Sequence, residues 1–257
     1  MAATRPDLLL VGYGVGDSLQ ITVQTSRTLA RMGRCYVLGL PPNLAAYLRS
    51  IHVDAIDLVA RLGPGLGFSE AYLALAEAIL QEVADDPPVA VISPGNPLLS
   101  NSLNRFLLLK ARERKVQVQV LAAVSPIDVL IATTGLDVGT FGLQVFDARR
   151  LVARRRRIDP SVPLAILELA GLAATNPLAP ISPSMEAFEA LADLLRTTYP
   201  ADHPVTHLAD GSAGAQSGPV TVPLSAFATI VSRIRNGSML FVDLVRSAPG
   251  GADPRPG

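Results

Sequence analysis

Leu8-Leu9-Leu10-Val11 runs without interruption into Gly12-Tyr13-Gly14-Val15-Gly16-Asp17, where glycine recurs at every second position. This junction constrains the fold more than any other segment. Consecutive aliphatic residues with no polar alternation predict a strand buried on both faces, as in a parallel sheet. Alternate glycines predict a loop whose backbone reaches dihedrals closed to other residues and lets a ligand approach closely. A dinucleotide-binding turn would need G-x-G-x-x-G and an acidic residue about 20 positions further on. Here the third glycine comes one residue early, and the next apolar strand, 35–38, ends in Gly39-Leu40-Pro41-Pro42. No carboxylate stands ready for a ribose, so the spacing argues against a nicotinamide cofactor.

Strand and helix patterns then alternate. Residues 20–32 read as a helix closed by Gly33 at its C′ position. In 70–83, Leu73, Ala76, Leu80 and Val83 recur at helical spacing, and Asp85-Asp86-Pro87-Pro88 ends the pattern. Val89-Ala90-Val91-Ile92 reads as a doubly buried strand delivering the chain into Ser93-Pro94-Gly95-Asn96-Pro97. A helix over 98–114, a strand over 116–121 and the turn Ala122-Ala123-Val124 follow. Ser125, Pro126 and Asp128 suit the N-cap, N1 and N3 positions of a helix that Gly135 ends. Such alternation predicts an open, largely parallel sheet, with ligands beyond the carboxyl ends of its strands.

Six arginines between 149 and 157 read as a connector to a second domain, either a solvated helix end or a dock for an acidic partner peptide or nucleic acid. Beyond it come a strand over 164–169, a helix over 185–198 capped by Ser184, a strand near 205–208 and a Gly/Ser loop over 211–218. A strand over 220–222, a helix from Pro223 to about 235 and a last strand over 239–245 complete a sheet expected to be mixed. The expected division is 1–148, 149–246 and a disordered tail, 247–257.

Composition excludes several function classes. Twenty-two basic against 22 acidic residues leave no global attraction to nucleic acid or to an anionic membrane. The single cysteine, Cys35, rules out a disulfide framework or a cysteine-rich zinc site. His203 and His207 fall on a strand pattern, so two strand-end histidines are expected instead of a metal pair. No apolar run approaches the roughly 18 residues of a membrane span, and no processing signal follows the first residues; a cytoplasmic protein is expected.

Three motifs in order, the 11–17 loop, Ser93–Pro97 and Ala122–Pro126, give the chain a resemblance to the tetrapyrrole-methylase superfamily, the class III S-adenosylmethionine-dependent methyltransferases. That family's loops read V-G-x-G-x-G-D, then G-D-P or G-H-P, then P-G-[VI]-S. Here Asn96 fills the variable middle of the second, and Ala122-Ala123 replace Pro-Gly in the third. The later pattern Asp128…Leu136-Asp137, Tyr199…Asp202-His203-Pro204-Val205 and Pro223-Leu224 is similar to the borosin-type peptide backbone N-methyltransferases.

The resemblance implies two α/β domains, a mostly parallel N-terminal sheet and a mixed C-terminal one, with the cofactor cleft between them. It implies S-adenosylmethionine as cofactor, S-adenosylhomocysteine as product, and a homodimer. Cofactor contacts are implied from Gly12, Tyr13, Gly14, Val15 and Gly16; from Pro94, Gly95, Asn96 and Pro97; from Ala123, Val124 and Ser125; and from Leu169 and Ala170. The sulfonium already carries the activation, so the protein supplies alignment and, where needed, a base. Candidate bases are Tyr72, Tyr13, Asp17, Asp128 and Glu168, with Tyr72 and Tyr13 singled out as catalytic. Borosin enzymes carry a Tyr/Arg/Tyr set here; in this chain only Tyr72 aligns, the other positions falling near Leu62 and Phe68, with Arg61 as a local substitute.

Three functions follow as expectations: methylation of a peptide backbone supplied in trans, methylation of a tetrapyrrole or other small molecule, or cofactor binding by a non-catalytic partner subunit. The trans reading rests on the shortness of the tail after Val245.

Overall fold

A computed structural model describes residues 6–16, 18–63, 65–174, 176–178, 184–209 and 218–245. The chain divides into two compact units. The first runs through Val129 and takes in a short segment beginning at Ala174; the second holds Leu130–Ala173 and most of the remainder.

The first unit is a five-stranded, all-parallel sheet in the order β3-β2-β4-β1-β5. Its strands are β1 (Leu8–Gly12), β2 (Arg34–Val37), β3 (Ala55–Asp57), β4 (Val89–Ser93) and β5 (Val118–Leu121). Between them lie α1 (Val23–Leu29), α2 (Pro42–Ser50), α3 (Phe68–Asp85) and α4 (Ser102–Glu113). β1 and β4 are buried at every residue, as their unbroken aliphatic runs required. Alternate residues face two cores. Leu8, Leu10, Val89 and Val91 pack under α3 and α4, while Leu9, Val11, Ala90 and Ile92 pack under α1 and α2.

The second unit is a mixed sheet in the order β6-β7-β10-β8-β9. β6 (Gln144–Asp147) and β7 (Leu164–Leu167) are parallel; β10 (Ser238–Val242), β8 (Pro204–Ala209) and β9 (Val220–Pro223) continue antiparallel. Its helices are α5 (Pro126–Thr134, at the division between units), α6 (Val138–Phe141), α7 (Ala148–Ala153), α8 (Met185–Arg196) and α9 (Ala228–Val231). One apolar cluster, with Phe188, Leu191 and Leu195 of α8 over Ile166 and Leu240, fills this unit.

The alternation reads through clearly, but boundaries move where side-chain capping decides them. The helix expected over 20–32 is a 3-10 turn, Ser18–Gln20, then α1, because the Thr22 hydroxyl accepts from Thr25 N–H and starts the helix there. Gly33 is not its left-handed cap; α1 ends at Ala30. α4 begins at Ser102, not 98, since Asn101 Oδ1 accepts from Asn104 N–H at 2.9 Å. In α3 the buried stripe is Leu75, Ala76, Ile79, Leu80 and Val83, and Leu73 is only half-buried. The helix expected from Pro223 to 235 breaks into a 3-10 turn, Leu224–Ala226, and the single turn of α9. β3, β6, α2 and α7 lacked a distinct sequence signal, and β6, which precedes the expected 148/149 boundary, joins the second sheet. The tail 247–257 and all but the last residue of the 211–218 loop lie outside the described residues.

Three helices share an ending. His52, Lys115 and Arg155 sit with φ of 60°, 58° and 42° at the C′ positions of α2, α4 and α7. Each time the C′ N–H and the next N–H bond back to carbonyls of the last turn: Arg155 N–H to Val152 and Arg156 N–H to Leu151, for example, at 3.1 and 3.2 Å. This is the Schellman closure that usually takes glycine. A basic side chain there offsets part of the left-handed strain by facing the negative end of the helix dipole.

Candidate functional site: three turns at the carboxyl edge of the first sheet

β4, β1 and β5 are neighbours, and their last residues lie in register, Gly12 beside Ser93 and Val11 beside Leu121. The three turns singled out from sequence therefore leave the same edge side by side. From β1 the chain turns to α1 on one face, and from β4 it passes to α4 on the other. This reversal between adjacent strands is the switch point at which open parallel sheets bind ligands.

The turns interlock through backbone. Tyr13 N–H donates to the Ser93 carbonyl at 3.1 Å and Gly95 N–H to the Gly14 carbonyl at 2.8 Å, a bridge joining the loops beyond the strands. Gly12 has no room for a side chain: a Cβ would strike the Gly95 carbonyl oxygen and stand 2.8 Å from Ala123 Cβ and 3.0 Å from Pro97 Cδ. One glycine thus touches all three turns. Gly14 takes φ +87°, and a Cβ on it would stand 2.5 Å from Gln20 Cβ. Gln20 Oε1 in turn accepts from Val15 N–H at 2.7 Å and holds the loop closed.

Each turn is also braced locally. Asn96 Oδ1 accepts from Leu98 N–H at 3.0 Å, shaping the Gly-Asn-Pro turn. Asp128 Oδ2 accepts from Ser125 N–H at 2.7 Å and from its hydroxyl at 2.6 Å, so both residues close the N-terminus of α5 as the sequence predicted. That occupies the Asp128 carboxylate and leaves it poorly placed as a base. At the end of β3, Asp57 accepts from Gly39, Leu40 and Val59 N–H at 2.9 to 3.1 Å. Partial burial raises its carboxyl pKa, but the three donors outweigh this and hold it below the usual range.

The expected residues come together unequally. Gly12 to Gly16, Pro94 to Pro97 and Ala123 to Ser125 form one edge. Leu169 and Ala170 are buried in the second unit, in a 3-10 turn after β7 entered through Glu168 at φ 58°. The two candidate catalytic tyrosines lie on opposite faces of the first sheet. Tyr13 packs with the α1/α2 core, and half-buried Tyr72 lies against the α3/α4 core, 6.2 Å from the Phe68 ring. Arg61 is engaged: it pairs with Glu82 and lies 4.9 Å from the Tyr36 ring centre, while the Tyr36 hydroxyl donates to Glu82. Asp17 lies outside the described residues.

His207 bonds Ser238 and His203 bonds the Asp243 carbonyl, and no metal-ligand cluster occurs among the described residues. Burial pushes the free Cys35 thiol up to about 12. Among the described residues no helix is long and apolar enough to cross a membrane. Arg149, Arg150 and Arg154 to Arg157 are all exposed, and Arg157 helps lower the Asp159 carboxyl.

The family model for Tetrapyrrole (Corrin/Porphyrin) Methylases matches residues 7–225. The chain belongs to that family. Among curated proteins it is 25% identical over 200 residues to the methyltransferase/ribosomally synthesized cyclic peptide gymnopeptides precursor of Gymnopus fusipes, spanning 78% of this chain and 47% of that one. It is 26% identical over 208 residues to the dendrothelin A precursor of Dendrothele bispora, spanning 79% and 49%. The chain thus spans about half the length of these relatives. The fold is shared with uroporphyrin-III C-methyltransferase of Thermus thermophilus complexed with S-adenosylhomocysteine (TM-score 0.63, 17% identity, 92% of this chain and 96% of that one). It is shared also with diphthine synthase (TM-score 0.61, 16% identity, 92% and 90%).

Proposed function

We propose that the protein is an S-adenosylmethionine-dependent methyltransferase that methylates backbone amides of a peptide. The observation that carries the cofactor reading is the convergence of three turns on Gly12 at the switch point. Fixed backbone N–H and C=O groups there suit an adenosyl and amino-acid moiety without any side chain having to be ordered. Gly12 to Gly16, Pro94 to Pro97 and Ala123 to Ser125 hold the cofactor. The structural relative that carries S-adenosylhomocysteine supports the ligand class, and the cyclic-peptide precursors support the acceptor.

S-adenosylmethionine supplies a methyl group already activated by its sulfonium. The protein's part is to align the acceptor nitrogen in line with that methyl and to exclude water. Tyr72, in the second turn of α3 beside the 61–67 loop, is the residue proposed to face the acceptor. Tyr13 contributes through its backbone, since its ring belongs to the core. With Arg61 held by Glu82, an amide N–H meets fewer activating groups than the borosin set offers. A tetrapyrrole or other small acceptor with a more acidic or more nucleophilic atom is therefore the second reading. A homodimer and a cytoplasmic setting are part of the proposal.

Titration calorimetry with S-adenosylhomocysteine tests the cofactor, with one site per chain expected. Incubation with S-adenosylmethionine and a candidate peptide, read by tandem mass spectrometry, tests the acceptor. Gains of 14 Da on backbone nitrogens support it, whereas methyl groups confined to a small molecule transfer the assignment to the second reading.

A further inference from the structure

α4 carries a polar residue where its packing stripe should be apolar. Leu103, Leu107 and Ala111 are buried against the first sheet, and Asn104 beside them is wholly buried. Its Nδ2 donates twice, to Ser93 Oγ at 2.9 Å and to the Pro97 carbonyl at 2.8 Å. Asn101 Nδ2 is a second donor, at 3.1 Å, to the same Ser93 hydroxyl oxygen, while Asn101 Oδ1 caps the helix through Asn104 N–H. Asn104 Oδ1 is buried with no partner among the described residues.

The two acceptors of Asn104 are the ends of one turn. Ser93 closes β4 and Pro97 ends the Gly-Asn-Pro turn, so a single amide fixes the chord that the turn spans. Within that chord lies Gly95, whose N–H bonds Gly14 and whose carbonyl fills the space above Gly12. The position of Asn104 therefore sets how the second turn meets the first. A residue kept only for packing would be leucine here, because an amide buried with an unmet acceptor is unfavourable. Backbone groups serve as ligand contacts only when held in place beforehand.

We infer that Asn104 is a positioning residue for the cofactor site, acting through Ser93 and Pro97 without touching the ligand. The inference rests on the cofactor reading above. The test is titration of S-adenosylhomocysteine into the full chain, with melting temperature followed in parallel. Asn104→Leu and the near-isosteric Asn104→Asp are expected to raise Kd about tenfold or more, and Ser93→Ala about threefold. Leu107→Ala, which opens the core on the same helix stripe, is expected to lower the melting temperature with Kd unchanged. If Asn104→Leu does not fold, Asn104→Asp and Ser93→Ala still report on the turn. Variants that bind within twofold of wild type, or a Leu107→Ala variant that weakens binding equally, overturn the inference alone. A wild-type chain that binds no S-adenosylhomocysteine overturns the cofactor reading and the inference with it.

Discussion

The two sheets spend glycine differently. At the carboxyl edge of the first, Gly12, Gly14 and Gly95 sit where a Cβ would collide or where φ is positive, and Gly95 N–H bonds the Gly14 carbonyl. At the comparable end of β7 in the second unit the left-handed residue is Glu168, and nearby Gly171 would place a Cβ 3.0 Å from Arg149 Cδ, part of a flexible side chain. One edge joins bare backbone of neighbouring turns, while the other turns the chain above a large apolar core. Dense glycine thus marks the interlocked turns, whereas left-handed geometry alone does not.

The largest expected effect comes from Gly12→Val. Its side chain must displace the Gly95 carbonyl and the side chains of Pro97 and Ala123, and overpacking of that kind costs about 1–3 kcal/mol. S-adenosylhomocysteine binding should weaken at least about a hundredfold by calorimetry, with the far-ultraviolet circular dichroism retained. Next comes a paired comparison between the units. Gly14→Ala, strained at φ +87°, should weaken binding about tenfold, consistent with the 1–3 kcal/mol typical of such strain. Gly171→Ala should alter binding less than about twofold. Equal effects from the pair would erase the contrast between the edges.

A pH effect is expected from the second unit. His207 is buried on β8, and its Nε2 shares a hydrogen bond with the Ser238 hydroxyl, whose oxygen accepts from Arg235 N–H. Burial, then Arg235 and Arg233, hold its pKa below the usual 6.5. The unfolded chain therefore takes up a proton that the folded one refuses, and stability falls as pH drops below about 6.5. Denaturant midpoints at pH 7.5 and 5.5 should differ less for His207→Gln than for wild type; an unchanged difference would remove His207 from this role. The smallest effect is Arg155→Gly. Relief of left-handed strain at the end of α7 should add up to about 1 kcal/mol, read as a melting temperature a few degrees higher.

What the sequence showed, and what it hid, follows from the range of the interactions. Val89–Ser93 and the 11–16 loop were legible because aliphatic runs and glycine act locally. The N-cap role of Ser125 with Asp128 was legible because capping has fixed spacing. The start of α4 was not, since it depends on which asparagine faces the helix. Gln20 and Asn104 escaped notice as site residues because their partners, Val15 N–H, Ser93 and Pro97, are defined only once the turns are folded. Asn104 did leave one trace, an amide in register with Leu107 and Ala111. The engagement of Arg61 by Glu82 and Tyr36 joins residues 21 and 25 positions apart, beyond the reach of any local pattern.

The most direct check is a crystal structure of the chain with S-adenosylhomocysteine. The nucleoside and its amino-acid end should lie over the ends of β1, β4 and β5, within hydrogen-bonding distance of backbone groups from Gly12 to Gly16 and Gly95 to Pro97. Density for the ligand elsewhere, with that edge unchanged and bare, would contradict the account.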